Sequence, residues 1–73
     1  MHTERLVTMA NDIAAFFHGA VDRQEAAQSV ALHLTRYWDP RMRKQIVEHY
    51  RSGGAGLGEL ARQGIELLAV GKS

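Results

Sequence analysis

The chain has 73 residues, which makes it one domain with a core so small that it is marginally stable alone. The absence of cysteine excludes disulfides and thiolate metal sites. Nine basic against eight acidic side chains give a net charge of +1, which singles out no class of partner. No run of about 18 apolar residues offers a membrane span, and Met1-His2-Thr3-Glu4-Arg5 does not open a signal peptide, so a soluble, cytoplasmic chain is expected.

Four helical segments follow in chain order. The first has Thr3 as its expected N-cap. Leu6, Met9, Ala10, Ile13, Ala14, Phe16 and Phe17 follow at helical spacing, with Glu4, Asn11 and Asp12 on the opposite side. His18-Gly19 ends it, Gly19 suiting the position after the last helical residue. The second opens at Asp22, with Glu25 three residues on as in a capping box. It continues through Ala26, Ala27, Val30, Leu34, Tyr37 and Trp38.

Asp39-Pro40 then starts the third. Asp accepts a hydrogen bond from an orphan N–H, and Pro at the first helical position loses none. That helix runs from Pro40 to about Arg51, with Met42, Ile46, Val47 and Tyr50 on one face. Gly53-Gly54-Ala55-Gly56 breaks the chain as a loop. The fourth runs from about Gly58 to Val70 on Leu57, Leu60, Ala61, Ile65 and Leu68. Gly64 inside it costs about 1 kcal/mol of helix propensity, and on the apolar side it permits a close helix–helix approach. No alternation argues for a strand. The expectation is an all-α single domain over residues 1–73, a small bundle of three or four short helices.

Catalytic chemistry finds no footing in these residues. His2, His18, His33 and His49 lack metal-ligand spacing, so no metal site is expected. Ser29, Ser52 and Ser73 stand in no triad or elbow context, and the glycine loop lacks the Lys-Ser/Thr of a phosphate loop. A domain this small leaves little room for a pocket of several hundred Å³. Neither enzyme activity nor a bound cofactor is expected of this chain alone.

A binding role fits better. Arg41 and Arg43 fall at a helix start, where the dipole disfavours cations by about 0.3–1 kcal/mol each, so pairing with acids on this chain or on another is expected. Five basic residues between Arg36 and Arg51, against Asp39 and Glu48, make either a docking surface or a solvated face. Nucleic acid is disfavoured because basicity is not domain-wide. Phe16, Phe17, Tyr37, Trp38 and Tyr50 are too many aromatics for so small an interior. At least one or two should lie on an intermolecular surface. The expected partner-binding residues are Trp38, Arg41, Arg43, Arg36 and Tyr37.

Three stretches also resemble a known family. They are Arg5-Leu6-Val7-x-Met9-Ala10-Asn11-x-Ile13-Ala14-x-Phe16-Phe17, then His33-Leu34-x-Arg36-Tyr37-Trp38-Asp39-Pro40-Arg41-Met42-Arg43, then Gly53-Gly54-x-Gly56-Leu57 with Leu60. Together they are similar to the delta subunit of NAD-dependent formate dehydrogenase, a molybdenum enzyme. Where that family often has Asp-Pro after the Gly-Leu pair, this chain has Gly58-Glu59.

The resemblance implies a non-catalytic accessory subunit of a cytoplasmic complex whose molybdenum cofactor, clusters and flavin lie on larger subunits. Its partner would be a larger subunit, the catalytic one first, and its role the assembly or stability of the complex. The alternative is a free-standing helical protein–protein interaction module, a homodimer in isolation.

Overall fold

The computed structural model describes residues 2–19 and 22–71. They form four helices, α1 (Thr3–Phe17), α2 (Arg23–Tyr37), α3 (Pro40–Arg51) and α4 (Glu59–Val70), with no strand among the described residues. The chain is all-α, as its apolar periodicity predicts.

Local chemistry accounts for two of the four helix starts. Asp22 caps α2 by accepting from the Gln24 N–H at 2.9 Å. Asp39 caps α3 by accepting from the Met42 N–H at 2.9 Å, with Pro40 in the first turn. Helix α1 departs from expectation at its start. Thr3 lies inside the helix and His2 is the N-cap, with no side-chain cap. The Thr3 hydroxyl instead accepts from Gln45 Nε2 of α3 at 2.8 Å. A long-range bond that ties two helices together takes the place of a local cap. Helix α4 likewise begins after Gly58 with no side-chain cap of its own.

Leu6, Val30, Leu34, Ile46 and Ile65 are the largest fully buried side chains, drawn from all four helices. Five of the thirteen buried hydrophobic residues are alanines. Such a core gains little area per residue, so its stability depends on backbones lying close together.

A close approach lies between α2 and α4, the most extensive helix pair. A Cβ built on Gly64 would lie 2.5 Å from Val30 Cγ1 and 2.7 Å from Val30 Cβ, with the Ala27 carbonyl oxygen at 3.3 Å. The glycine that weakens α4 by propensity is thus the residue that lets α4 seat on α2. Helices α2 and α3, although joined by only Trp38 and Asp39, scarcely touch and instead pack on their neighbours.

This packing predicts the behaviour of Gly64→Ala. The methyl recovers about 1 kcal/mol of helix propensity but overpacks the α2–α4 contact at a cost of about 1–3 kcal/mol. Net destabilisation is expected, read by urea denaturation. Adding Val30→Ala removes the obstruction, so the double variant should be more stable than the two single changes sum to. A Gly64→Ala chain more stable than the parent would contradict the close approach.

Candidate functional site

The α2–α3 corner is the place where the basic and aromatic residues singled out in the sequence meet. Trp38 is the C-cap residue of α2, in extended conformation, and is 5 % exposed. Its indole belongs to the core, while the next residue but one, Pro40, starts α3.

Arg43 explains why an arginine stands in the first turn of a helix. Its Nη1 donates to the Trp38 carbonyl and, at 3.1 Å, to the Thr35 carbonyl. The guanidinium therefore lies at the C-terminal end of α2, where a cation is favoured and unpaired carbonyls need donors. The expectation of an acidic partner for Arg43 within the fold gives way to this arrangement. Backbone carbonyls at a helix end offer a negative potential of the same sign as a carboxylate's, equivalent to about half a unit charge.

Arg41, one residue from that geometry, is exposed and makes no hydrogen bond or ion pair among the described residues. Arg36 is also exposed, and Tyr37 is 70 % exposed at the end of α2. Of the five residues expected to bind a partner, Arg36, Tyr37 and Arg41 present their side chains to solvent. Trp38 and Arg43 form the framework beneath them.

The five aromatics divide between core and surface. Trp38 is buried, Phe17 and Tyr50 pack partly against the core, and Phe16 is 82 % exposed. Phe16 meets Phe17 edge-on at 5.1 Å between ring centroids, and Phe17 meets His33 at 6.4 Å. His33 in turn lies 4.6 Å from Tyr37. The rings run in a row from the end of α1 to the end of α2.

The loop before α4 is organised by residues that sequence reasoning missed. Gly53, Gly54 and Gly56 all have positive φ, at 117°, 65° and 86°. Arg62 reaches back from α4, its Nη2 donating to the Gly53 and Gly54 carbonyls at 2.9 Å each. Asn11 of α1 uses both ends of its amide. Its Nδ2 donates to the Gly56 carbonyl at 2.9 Å and its Oδ1 accepts from the Gly58 N–H at 2.8 Å. Asn11 was expected on the side of α1 away from the apolar stripe. It is half-buried instead, because the loop folds over it. The signal available was the pairing of a lone amide with a glycine-rich turn whose φ values expose backbone groups.

No group of three or more His, Cys, Asp or Glu is placed to hold a metal ion among the described residues. The histidines are dispersed. His2 and His18 flank α1, His33 lies in the ring row, and His49 Nε2 is 2.9 Å from the Ala55 carbonyl oxygen. The expectation that there is little room for a pocket needs amending. Open surface grooves of 590 Å³ lie between α2 and α4 and of 340 Å³ between α3 and α4. No helix among the described residues is long and apolar enough to cross a membrane.

The family model described as NADH-dependent formate dehydrogenase delta subunit, FdsD, matches residues 5–65. The chain belongs to that family. No curated protein and no solved structure gives a significant match. The matched segment contains the α2–α3 corner, the ring row and the Asn11-clasped loop. Membership in the delta-subunit family implies association with other formate dehydrogenase subunits.

Two outcomes follow for this region. Arg43→Ala leaves the end of α2 without its donor and should lower stability by about 1–2 kcal/mol, less than a fully buried charge-assisted bond. Arg41→Ala should stay within about 0.5 kcal/mol of the parent. Urea midpoints of the two variants check the contrast, and equal midpoints would count against it.

The second outcome concerns Tyr50, whose hydroxyl donates to Glu66 Oε1 at 2.7 Å across α3 and α4. That bond, then desolvation and the Glu66 charge, raise the phenol above its ordinary value of 10.0. A raised phenol stabilises the fold below the ordinary tyrosine range, and that contribution is lost as pH rises through the raised value. Spectrophotometric titration should show the Tyr50 ionisation moving down in Glu66→Ala.

Proposed function

We propose that the chain is a non-catalytic accessory subunit that binds a larger subunit of a cytoplasmic formate dehydrogenase, the catalytic one first, and supports assembly or stability of the complex. The family match over residues 5–65 carries this reading. The residue chemistry agrees with it. A chain with no cysteine cannot ligate an iron–sulfur cluster through thiolates, and its best-organised polar groups are spent on the fold.

The docking site in this reading is the α2–α3 corner. Arg36, Tyr37 and Arg41 supply the exposed contacts. Trp38 and Arg43 hold the corner in shape from beneath. Exposed arginines and a tyrosine on a rigid corner suit a protein partner, because they bring large contact area and charge-assisted bonds at fixed positions.

Deleting the chain from its native cells and adding it back tests the role. The expected result is less assembled formate dehydrogenase, and less formate-dependent NADH formation per cell, without the chain. Both should recover on re-expression. An unchanged yield of assembled, active enzyme would overturn the reading. The free-standing module predicts that outcome, with only self-association of the purified chain.

A further inference from the structure

The ring row leaves an apolar surface that the fold itself does not use. Phe16 is 82 % exposed, Leu32 53 % and Tyr37 70 %. A groove of 200 Å³ opens among Phe17, Ser29, Leu32, His33, Arg36 and Tyr37, so these side chains surround one concavity at the end of α1 and α2. Exposed apolar side chains scattered singly are ordinary, but a connected patch on so small a chain marks a contact surface. Its rings lie in series from Phe16 to Tyr37, at centroid separations of 5.1, 6.4 and 4.6 Å.

The charge around the groove selects the occupant. Arg36 is the one permanently charged side chain lining it, and no carboxylate lines it. A second copy docked symmetrically through this patch brings no carboxylate to it, so each Arg36 would lie in the interface without an acidic partner. A different surface, with an apolar side chain for the groove and an Asp or Glu for Arg36, satisfies both features.

We infer that the Phe16–Leu32–Tyr37 patch with Arg36 docks an apolar segment, flanked by a carboxylate, on another formate dehydrogenase subunit. The inference rests on the accessory-subunit reading. It extends the contact from the α2–α3 corner along α2 to the end of α1. Phe16 and Leu32 become anchors, and Arg36 the residue that sets register.

The test expresses the tagged full chain in native cells that lack it and measures the co-purified formate dehydrogenase subunits by mass spectrometry. The variants are Phe16→Ser, Leu32→Ser, Tyr37→Ser, Arg36→Gln and Arg36→Glu, with Arg5→Ala at the other end of α1 as control. Each patch variant should capture about tenfold less than the parent, while thermal melting stays at the parent value in all but Arg36→Glu, which reverses a favourable charge at the end of α2. Arg36→Glu should lose more than Arg36→Gln, because it adds repulsion to the lost pair. Should one serine variant melt early, Arg36→Gln carries the test, since the Arg36 side chain makes no hydrogen bond or ion pair with the described residues, whereas Arg36→Glu also sets an acid at the C-terminal end of α2.

Patch variants that capture as much as the parent overturn the inference and leave the accessory-subunit reading intact. A parent that captures no formate dehydrogenase subunit overturns both. Sedimentation of the purified chain gives the remaining arm. A dimer that the patch variants dissociate, with capture unchanged, assigns the patch to a second copy and overturns the inference.

Discussion

The fold depends on the approach of α4 to α2 at Gly64. With alanine as the commonest buried residue, the core lacks the bulk to hold helices together at ordinary spacing. Close backbone approach replaces bulk, because dispersion contacts multiply as surfaces come within van der Waals range. Only glycine at position 64 allows it, since Val30 fills the space a Cβ would occupy. Once α2 and α4 are locked, α1 packs over both and α3 closes against α1 and α4.

Polar groups then complete what the thin core leaves undone, largely through side chains that act far from their own helix. Asn11 of α1 holds the turn before α4, and Arg62 of α4 holds the carbonyls after α3. Arg43 of α3 holds the end of α2, and Gln45 of α3 holds the start of α1. Each is a side chain bonded to groups outside its own helix. A chain of this length without disulfides gains order in this way at modest energy per bond. The ion pair between Arg23 and Glu59 at 3.3 Å adds little, both side chains being well exposed.

This use of polar groups bears on function by subtraction. Arg43, Asn11 and Arg62 are occupied by the fold, and Trp38 is buried. Among the side chains that stand outward are a row of aromatic and apolar residues with an arginine beside it, and a second arginine, Arg41, at the next helix start. Those are side chains suited to a protein surface. The family implies association with other formate dehydrogenase subunits.

The amino-acid sequence alone determined the four helices, their order and most of their ends. Apolar side chains recur at helical spacing, and Asp22, Asp39 and Pro40 act on their own neighbours. The family was also legible there, in three motifs spread across the chain. Local physics suffices for such features because each involves residues within one or two turns. The tertiary structure decided what locality cannot reach. It put Thr3 to work between helices rather than at a cap, turned Arg43 onto α2, and drew Asn11 under a loop 45 residues away. It also left Phe16 exposed while burying Trp38, a division that periodicity does not make. Those outcomes depend on which helices meet, and that is set by Gly64, where sequence spacing shows only a weak helix former and packing shows a point of close contact.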